Sequence, residues 1–472
     1  MMRLALAILP AAIAAAATDQ SSPITFNKDI LPILQENCQS CHRPGQIAPM
    51  SLLTYKDTRP WAKAIKAAVI ERKMPPWFAE PNVGHFINDR SLRQDEINTL
   101  VEWADTGALE GDPKNAPARI EWPKGGWTIQ PETVMELPPH DVPAKGTLEW
   151  ELIAFPAPFK GDTWVTSIEL LPGEASVVHH ICFNFEKHKP STVYNRYEWV
   201  AVPRDAAGNP TPGNSGFGEL PNMQTATREV GSSEVKYRSG RPTLRNNNDF
   251  CYIPGNSVDD YRVWNAGKLV PAGSDIIVSF HYTTNGKAMV DRSKIGFTIA
   301  KTPPSKKFVV QQAGEDTPVI QPTEASSKSL FASTYNPSFA IPPNDSNFQA
   351  PTMDITILKD VELVRLRPHA HLRGKSTSYK VTYPNGRQET VLSVPHYDFN
   401  WQLAYGMSVK LPKGSHLRFD FAYDNSANNK NNPDPSRWVY QGFQSWEEMM
   451  SPNLGFLLDR DADVAGLISI SY

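Results

Sequence analysis

The chain has 472 residues, and at roughly 100–200 residues per domain that length predicts two to four domains and excludes a single small module. Its 47 Lys and Arg against 50 Asp and Glu leave a net charge of −3, which excludes a strongly basic nucleic-acid binder or a polybasic membrane binder. Hydrophobic content of 40% is ordinary, but 42 prolines are nearly twice the usual ~5% share and imply many turns and short strands.

In chain order, Met1-Met2-Arg3 opens an apolar run from Leu4 to Ala17, followed by Thr18-Asp19-Gln20-Ser21. A charged start, a short hydrophobic centre and an alanine-rich exit predict a secretory signal over residues 1–17, cleaved near Ala17. The run falls short of the ~20 residues that span a bilayer as a helix. No transmembrane anchor is expected, and the mature chain should be secreted or periplasmic.

Cys38-Gln39-Ser40-Cys41-His42 has the C-x-x-C-H spacing in which two thiols add to the vinyl groups of haem and the adjacent imidazole ligates iron. Composition alone would produce that pattern about 0.001 times in such a chain. A Cys38–Cys41 disulfide is the plainer alternative. The sixth iron ligand should be a thioether. Met50 lies only eight residues past His42, so Met74, in Arg72-Lys73-Met74-Pro75-Pro76-Trp77, is the better candidate, with His85 third. Helical spacing of Ile30, Ile33, Leu34 and Asn37, of Trp61, Ile65, Ala68 and Val69, and of Ile97, Leu100, Val101 and Ala104 predicts three helices between residues 24 and 110. Residues 18–112 are therefore expected to be a small all-α cytochrome c domain carrying covalent haem c.

After Gly111-Asp112-Pro113 the helical period stops, and short apolar runs separated by Pro, Gly and Asn take over. Thr163–Leu171, Asp275–Thr284, Val361–Leu372, Ser376–Tyr383 and Leu417–Tyr423 read as strands. Some 350 residues of this pattern predict two all-β jelly-roll sandwich domains, 118–312 and 313–472, divided within Thr302 to Thr323. Residues 187–250 form a long polar stretch with little alternation.

Histidines cluster on these segments. His369 and His371 would share one face of a strand, and His281 would point away from Ile276, Val278 and Phe280. His179 and His180 are adjacent and reach one ion only if their strand bulges or ends there. Trp446-Glu447-Glu448-Met449-Met450 adds thioethers, and an imidazole-imidazole-thioether set favours copper over zinc. Cys182 and Cys251 are left to pair in an oxidising compartment; Cys182 as a copper ligand is the alternative.

The order Val178-His179-His180-Ile181, Phe280-His281-Tyr282, Arg367-Pro368-His369-Ala370-His371-Leu372-Arg373-Gly374-Lys375 and Glu447-Glu448-Met449 resembles the copper type II, ascorbate-dependent monooxygenases, the family of peptidylglycine hydroxylating monooxygenase and dopamine β-monooxygenase. That resemblance covers nearly all of 118–472. It implies two copper ions across a solvent-filled cleft: an electron-transfer copper on His179, His180 and His281, and an O2-binding copper on His369, His371 and Met449. It implies hydroxylation of a C–H bond in a small-molecule substrate with O2. Electrons would come from the haem segment or from an external donor, an ascorbate-like reductant or a redox protein. Asn453 and Ser279 stand where the peptide-hydroxylating branch has Tyr and Gln, which argues against peptide amidation. A non-enzymatic haem and copper electron carrier is the alternative function.

Overall fold

The computed structural model describes residues 22–46, 48–201, 224–240, 242–244, 248–312, 339–440, 442 and 444–471. The expected signal over 1–17 lies outside them. Most described elements are strands. A nine-stranded sheet runs Thr133–Glu136, Lys294–Ile299, Thr163–Leu171, Ala266–Val270, Lys306–Gln312, Ser451–Asp459, Val361–His369 and Tyr405–Leu411, with Val258–Asp260 added on Thr163–Leu171. A seven-stranded sheet runs Lys236–Ser239, Gln224–Glu229, Arg196–Val200, Glu151–Pro156, Ser274–Tyr282, Val178–Lys187 and Phe250–Tyr252. A six-stranded sheet contains Gln388–Val394, Gly374–Thr382, His416–Tyr423, Met353–Ile357 and Ile468–Ser471, with Phe348–Gln349 on His416–Tyr423.

Two apolar cores follow from this layering. Val165, Ile168, Ile295 and Phe297 of the nine-stranded sheet meet Ile181, Phe183, Ile276, Val278 and Phe280 of the seven-stranded sheet. Leu363, Leu366, Leu454 and Phe456, farther along the same nine-stranded sheet, meet Ile355, Tyr379, Leu417 and Phe419 of the six-stranded one. Lys306–Gln312 joins the halves, pairing in parallel with Ala266–Val270 and antiparallel with Ser451–Asp459. Its two faces are divided accordingly: Phe308 enters the first core, while Val309 packs on the second.

The fold class expected from sequence, a small all-α cytochrome c domain followed by two all-β jelly-roll sandwich domains, is corrected in its first part. The α-helices ahead of the sheets are short: Leu31–Asn37, Tyr55–Thr58, Ala62–Ile70 and Gln94–Asp105. They gather around Phe26, Ile30, Leu34, Ile97, Leu100 and Trp103, but irregular chain connects them and that chain is stitched into the β structure. Glu80 N–H bonds to Ser393 O at 2.8 Å, Ile87 N–H to Gly406 O at 2.8 Å, and Trp77 and Phe86 pack their rings on Tyr405. No self-standing all-α unit results. The two sandwiches, in turn, share one sheet. Apolar periodicity reports which face of a segment is buried, and carries no record of whether two sandwiches are separate or fused.

Some local readings also shift. The strand expected over Val361–Leu372 ends at His369, so His371 lies beyond it. A register irregularity between Leu363 and Arg365 lets Val364 reach the first core and Leu366 the second, burying both faces. Helix Gln94–Asp105 opens after Arg93, whose N–H the Glu96 carboxylate accepts at 2.8 Å, and Gly107 follows its end at φ +98°. Within the polar stretch 187–250, Lys236–Ser239, Gln224–Glu229 and Arg196–Val200 extend the seven-stranded sheet; the first is solvated, whereas Arg196–Val200 is buried on both faces and so shows no alternation.

Candidate paired metal centre

His180 and His281 are cross-strand partners, but Tyr282 pairs with Val178, so His179 is the extra residue of a bulge. That bulge solves the geometry that adjacent strand residues pose. It turns His179 to the side of the sheet that His180 and His281 occupy, and one ligand nitrogen from each of the three lies within 4.8 Å of the others. His179 Nδ1 sits 3.3 Å from His281 Nδ1. Two nitrogens bound to one tetrahedral ion at about 2.0 Å lie about 3.3 Å apart. Both ring nitrogens of His180 are buried without a hydrogen-bond partner, a costly state that a bound cation relieves. Burial pushes His179 down to about 4 and holds His180 and His281 well below the ordinary imidazole value, so all three keep a lone pair at neutral pH. Trp150 stacks on His281 at 5.1 Å.

The second set is built at the end of Val361–His369 and the start of Ser451–Asp459. His369 Nδ1 lies 2.6 Å from Gln402 Oε1, and the Gln402 amide is oriented by its own N–H bond to Phe399 O. His371 Nδ1 lies 3.1 Å from Glu447 O. A carbonyl only accepts, so both Nδ1 atoms carry the proton and both Nε2 atoms keep the lone pair. His371 Nε2 is buried without a partner. The rings are 5.1 Å apart, and burial pushes His369 down to about 4. Glu448 ties Met449 to this pair: its Oε2 accepts the N–H of His371 at 2.7 Å and of Met449 at 3.3 Å. Burial pushes Glu448 up to about 7. Met449 is half-buried and lies outside the apolar core that Met450 joins.

The cleft implied between the sets is closed. Phe399 is buried yet belongs to neither apolar core; its ring lies 4.7 Å from His179, 5.9 Å from His180 and 6.1 Å from His371. A cavity of about 20 Å³, which Phe399 does not line, is bordered by Trp150, His180, Arg367, His369, Gln402 and Asn453, among others. Burial lowers Arg367 to about 9, and its Nη2 donates to Asn248 O at 3.0 Å. Gln402 and Phe399 went unseen in the sequence, because a single Gln and a single Phe in an irregular segment carry no spacing signal.

Around the C-x-x-C-H motif, Cys41 and His42 N–H groups bond to Cys38 O at 3.2 and 2.9 Å, and both cysteines are free thiols. Burial pushes Cys38 up to about 12. His42 Nδ1 lies 3.3 Å from Met50 O, which leaves Nε2 for a metal, so the donor set fits haem attachment. The cavity bordering Cys41 is about 120 Å³, below the roughly 300–1,000 Å³ of organic-cofactor pockets, so a macrocycle enters only if the neighbouring turns shift. Met50 packs on the helical core, His85 is exposed, and Met74 is half-buried after helix Ala62–Ile70, outside the three larger cores. Cys182 and Cys251 form a disulfide, which removes Cys182 as a copper ligand. No described helix is long and apolar enough to cross a membrane.

No protein-family profile and no curated protein matches the chain. Among solved structures, one of infectious bursal disease virus Gx strain overlaps 76% of this chain and 77% of its own at 10% identity and a TM-score of 0.17. The stem and receptor-binding domain of spike protein P1 from bacteriophage PM2 overlaps 70% of this chain and 99% of its own at 8% identity and a TM-score of 0.13. Superpositions this loose carry no argument about fold or function.

Proposed function

We propose that the chain is an exported copper-dependent monooxygenase, similar to the copper type II, ascorbate-dependent family, that hydroxylates a C–H bond and carries covalent haem on Cys38 and Cys41 with His42 as ligand. The observation that carries the reading is the bulge at His179, which brings ligand nitrogens of three neutral imidazoles within 4.8 Å of one another, one pair at 3.3 Å. A second imidazole pair with lone pairs free stands across a single phenyl ring. His179, His180 and His281 would hold one copper through three nitrogens; His369, His371 and Met449 would hold the other, the softer set suiting Cu(I). When bound, copper supplies one-electron transfer and dioxygen activation, and haem supplies one-electron storage. Each turnover needs two electrons from an external donor.

The chain's own residues prepare this chemistry. Gln402 and the Glu447 carbonyl fix the tautomers of His369 and His371. Arg367 puts a buried positive charge on the wall of the cavity beside His369, where negative charge would develop on oxygen. Phe399 keeps bulk water from between the sets.

The test is metal analysis with oxygen uptake: two coppers and one iron per chain, and reductant-driven O2 consumption that rises with substrate. Iron without copper would overturn the reading. A second reading, a haem and copper electron carrier without oxygen chemistry, is favoured by the small size of the cavity. Copper without substrate-dependent uptake would select it.

A further inference from the structure

The residues that close the paired centre come from one irregular strap, 395–404, between strands Gln388–Val394 and Tyr405–Leu411. Tyr397 donates its hydroxyl to Ala370 O at 2.8 Å and receives the Ala370 N–H at 3.1 Å, which pins the strap between His369 and His371. Gln402 holds His369. Phe399 lies between the two histidine sets. Trp401 rests on Gly255, where any Cβ would come 3.0 Å from its ring.

Both ends of the strap are fastened by the N-terminal segment Glu80–Asn88. At one end Glu80 N–H bonds to Ser393 O at 2.8 Å and Ser393 Oγ donates to Glu80 Oε2 at 2.6 Å. At the other, Asn88 Nδ2 donates to Ala404 O at 2.9 Å and Asn88 Oδ1 accepts the Gly406 N–H at 2.8 Å. The fastening residues are more than three hundred positions from what they hold.

We propose that Phe399 is the stopper of the paired centre and Glu80–Asn88 the clasp that holds it in place. The cavity of about 20 Å³ lined by His180, His369 and Gln402 exceeds the roughly 10–15 Å³ that one water needs, so it takes a water- or dioxygen-sized molecule. Anything larger that is to lie between the two histidine sets must displace the phenyl ring, which lies 4.7 Å from His179 and 6.1 Å from His371, and Phe399 thereby becomes the specificity-determining residue. The N-terminal segment thereby governs the site, since loosening Glu80–Asn88 frees the strap. The inference rests on the paired-metal reading for its meaning, but its test is run on metal-free full-length protein, so the two fail separately.

Diethyl pyrocarbonate modification of His179, His180 and His371, followed by mass spectrometry, reads access. Hydrogen exchange of residues 396–404 reads the strap. Phe399→Ala should speed modification of these histidines at least tenfold, and Phe399→Leu by less. Asn88→Ala should speed both modification and strap exchange by a similar factor. Unchanged exchange in helix Gln94–Asp105 and strand Gly374–Thr382 shows that a variant is folded; if Phe399→Ala fails that check, Phe399→Leu decides. Histidines that react in the wild type as fast as in the folded Phe399 variant would overturn the stopper. Strap exchange unchanged in Asn88→Ala would overturn the clasp.

Discussion

His180 has two buried ring nitrogens and no protein group to satisfy either, whereas His369 and His371 each have Nδ1 satisfied, and His371 Nε2 is left buried without a partner. Replacing a member of either set should therefore remove one metal and spare the other: His180→Ala and His371→Ala are each expected to retain one copper per chain by elemental analysis. Gln402→Ala removes no ligand but frees the His369 tautomer, and a loss of roughly 10–100-fold in copper affinity at that set alone is expected by titration. On strand Arg196–Val200, Glu198 is buried; burial raises it, but bonds from Thr243 and Arg196 outweigh burial and hold it below the ordinary carboxylate value. Its stabilisation is present above the ordinary carboxylate value and is lost as pH falls through its lower folded value. Glu198→Gln should cost about 1–3 kcal/mol at neutral pH. In urea melts, that difference should shrink in acid. The histidines were legible because the residue is rare in this chain and paired spacings stand out; Glu198 and Gln402 were not, since their importance comes from partners brought by the fold.

Among the elements, the bulge at His179 and the strap show where reading from sequence stops. Alternation in Ser274–Tyr282 put Ile276, Val278 and Phe280 together, and they do share a core. The same alternation could only pose the problem of two adjacent histidines. Register is set by the partner strand, which the local sequence does not contain. The disulfide belongs to this scale too. Cys182 and Cys251 are register partners on neighbouring strands and close 69 residues of chain, so in the chain-entropy model their bond contributes roughly 4 kcal/mol. Cys251→Ser should lower the midpoint of thermal unfolding markedly, and the same fall should appear when the wild type is reduced.

For the whole molecule, the helical stripes were readable but their dependence on the sheets was not. Ile97 and Leu100 of the expected stripe are buried, but with Trp103, which the stripe did not include, while Val101 and Ala104 are only partly buried and Trp61 is exposed; Trp77 and Phe86 meanwhile complete the second β core by covering Tyr405. Deleting residues 22–110 should therefore leave 118–472 with exposed aromatic surface. Aggregation of that fragment is expected in size-exclusion chromatography, where an independent β unit would run as a monodisperse peak.

Lys306–Gln312 runs along Ser451–Asp459 from the Lys306 and Asp459 pair to the Gln312 and Asn453 pair. With a ladder of that length between them, the halves have no swivel. Any breathing that admits a guest is confined to the rim, and the scattering envelope of the particle in solution should stay the same whether metals are loaded or stripped.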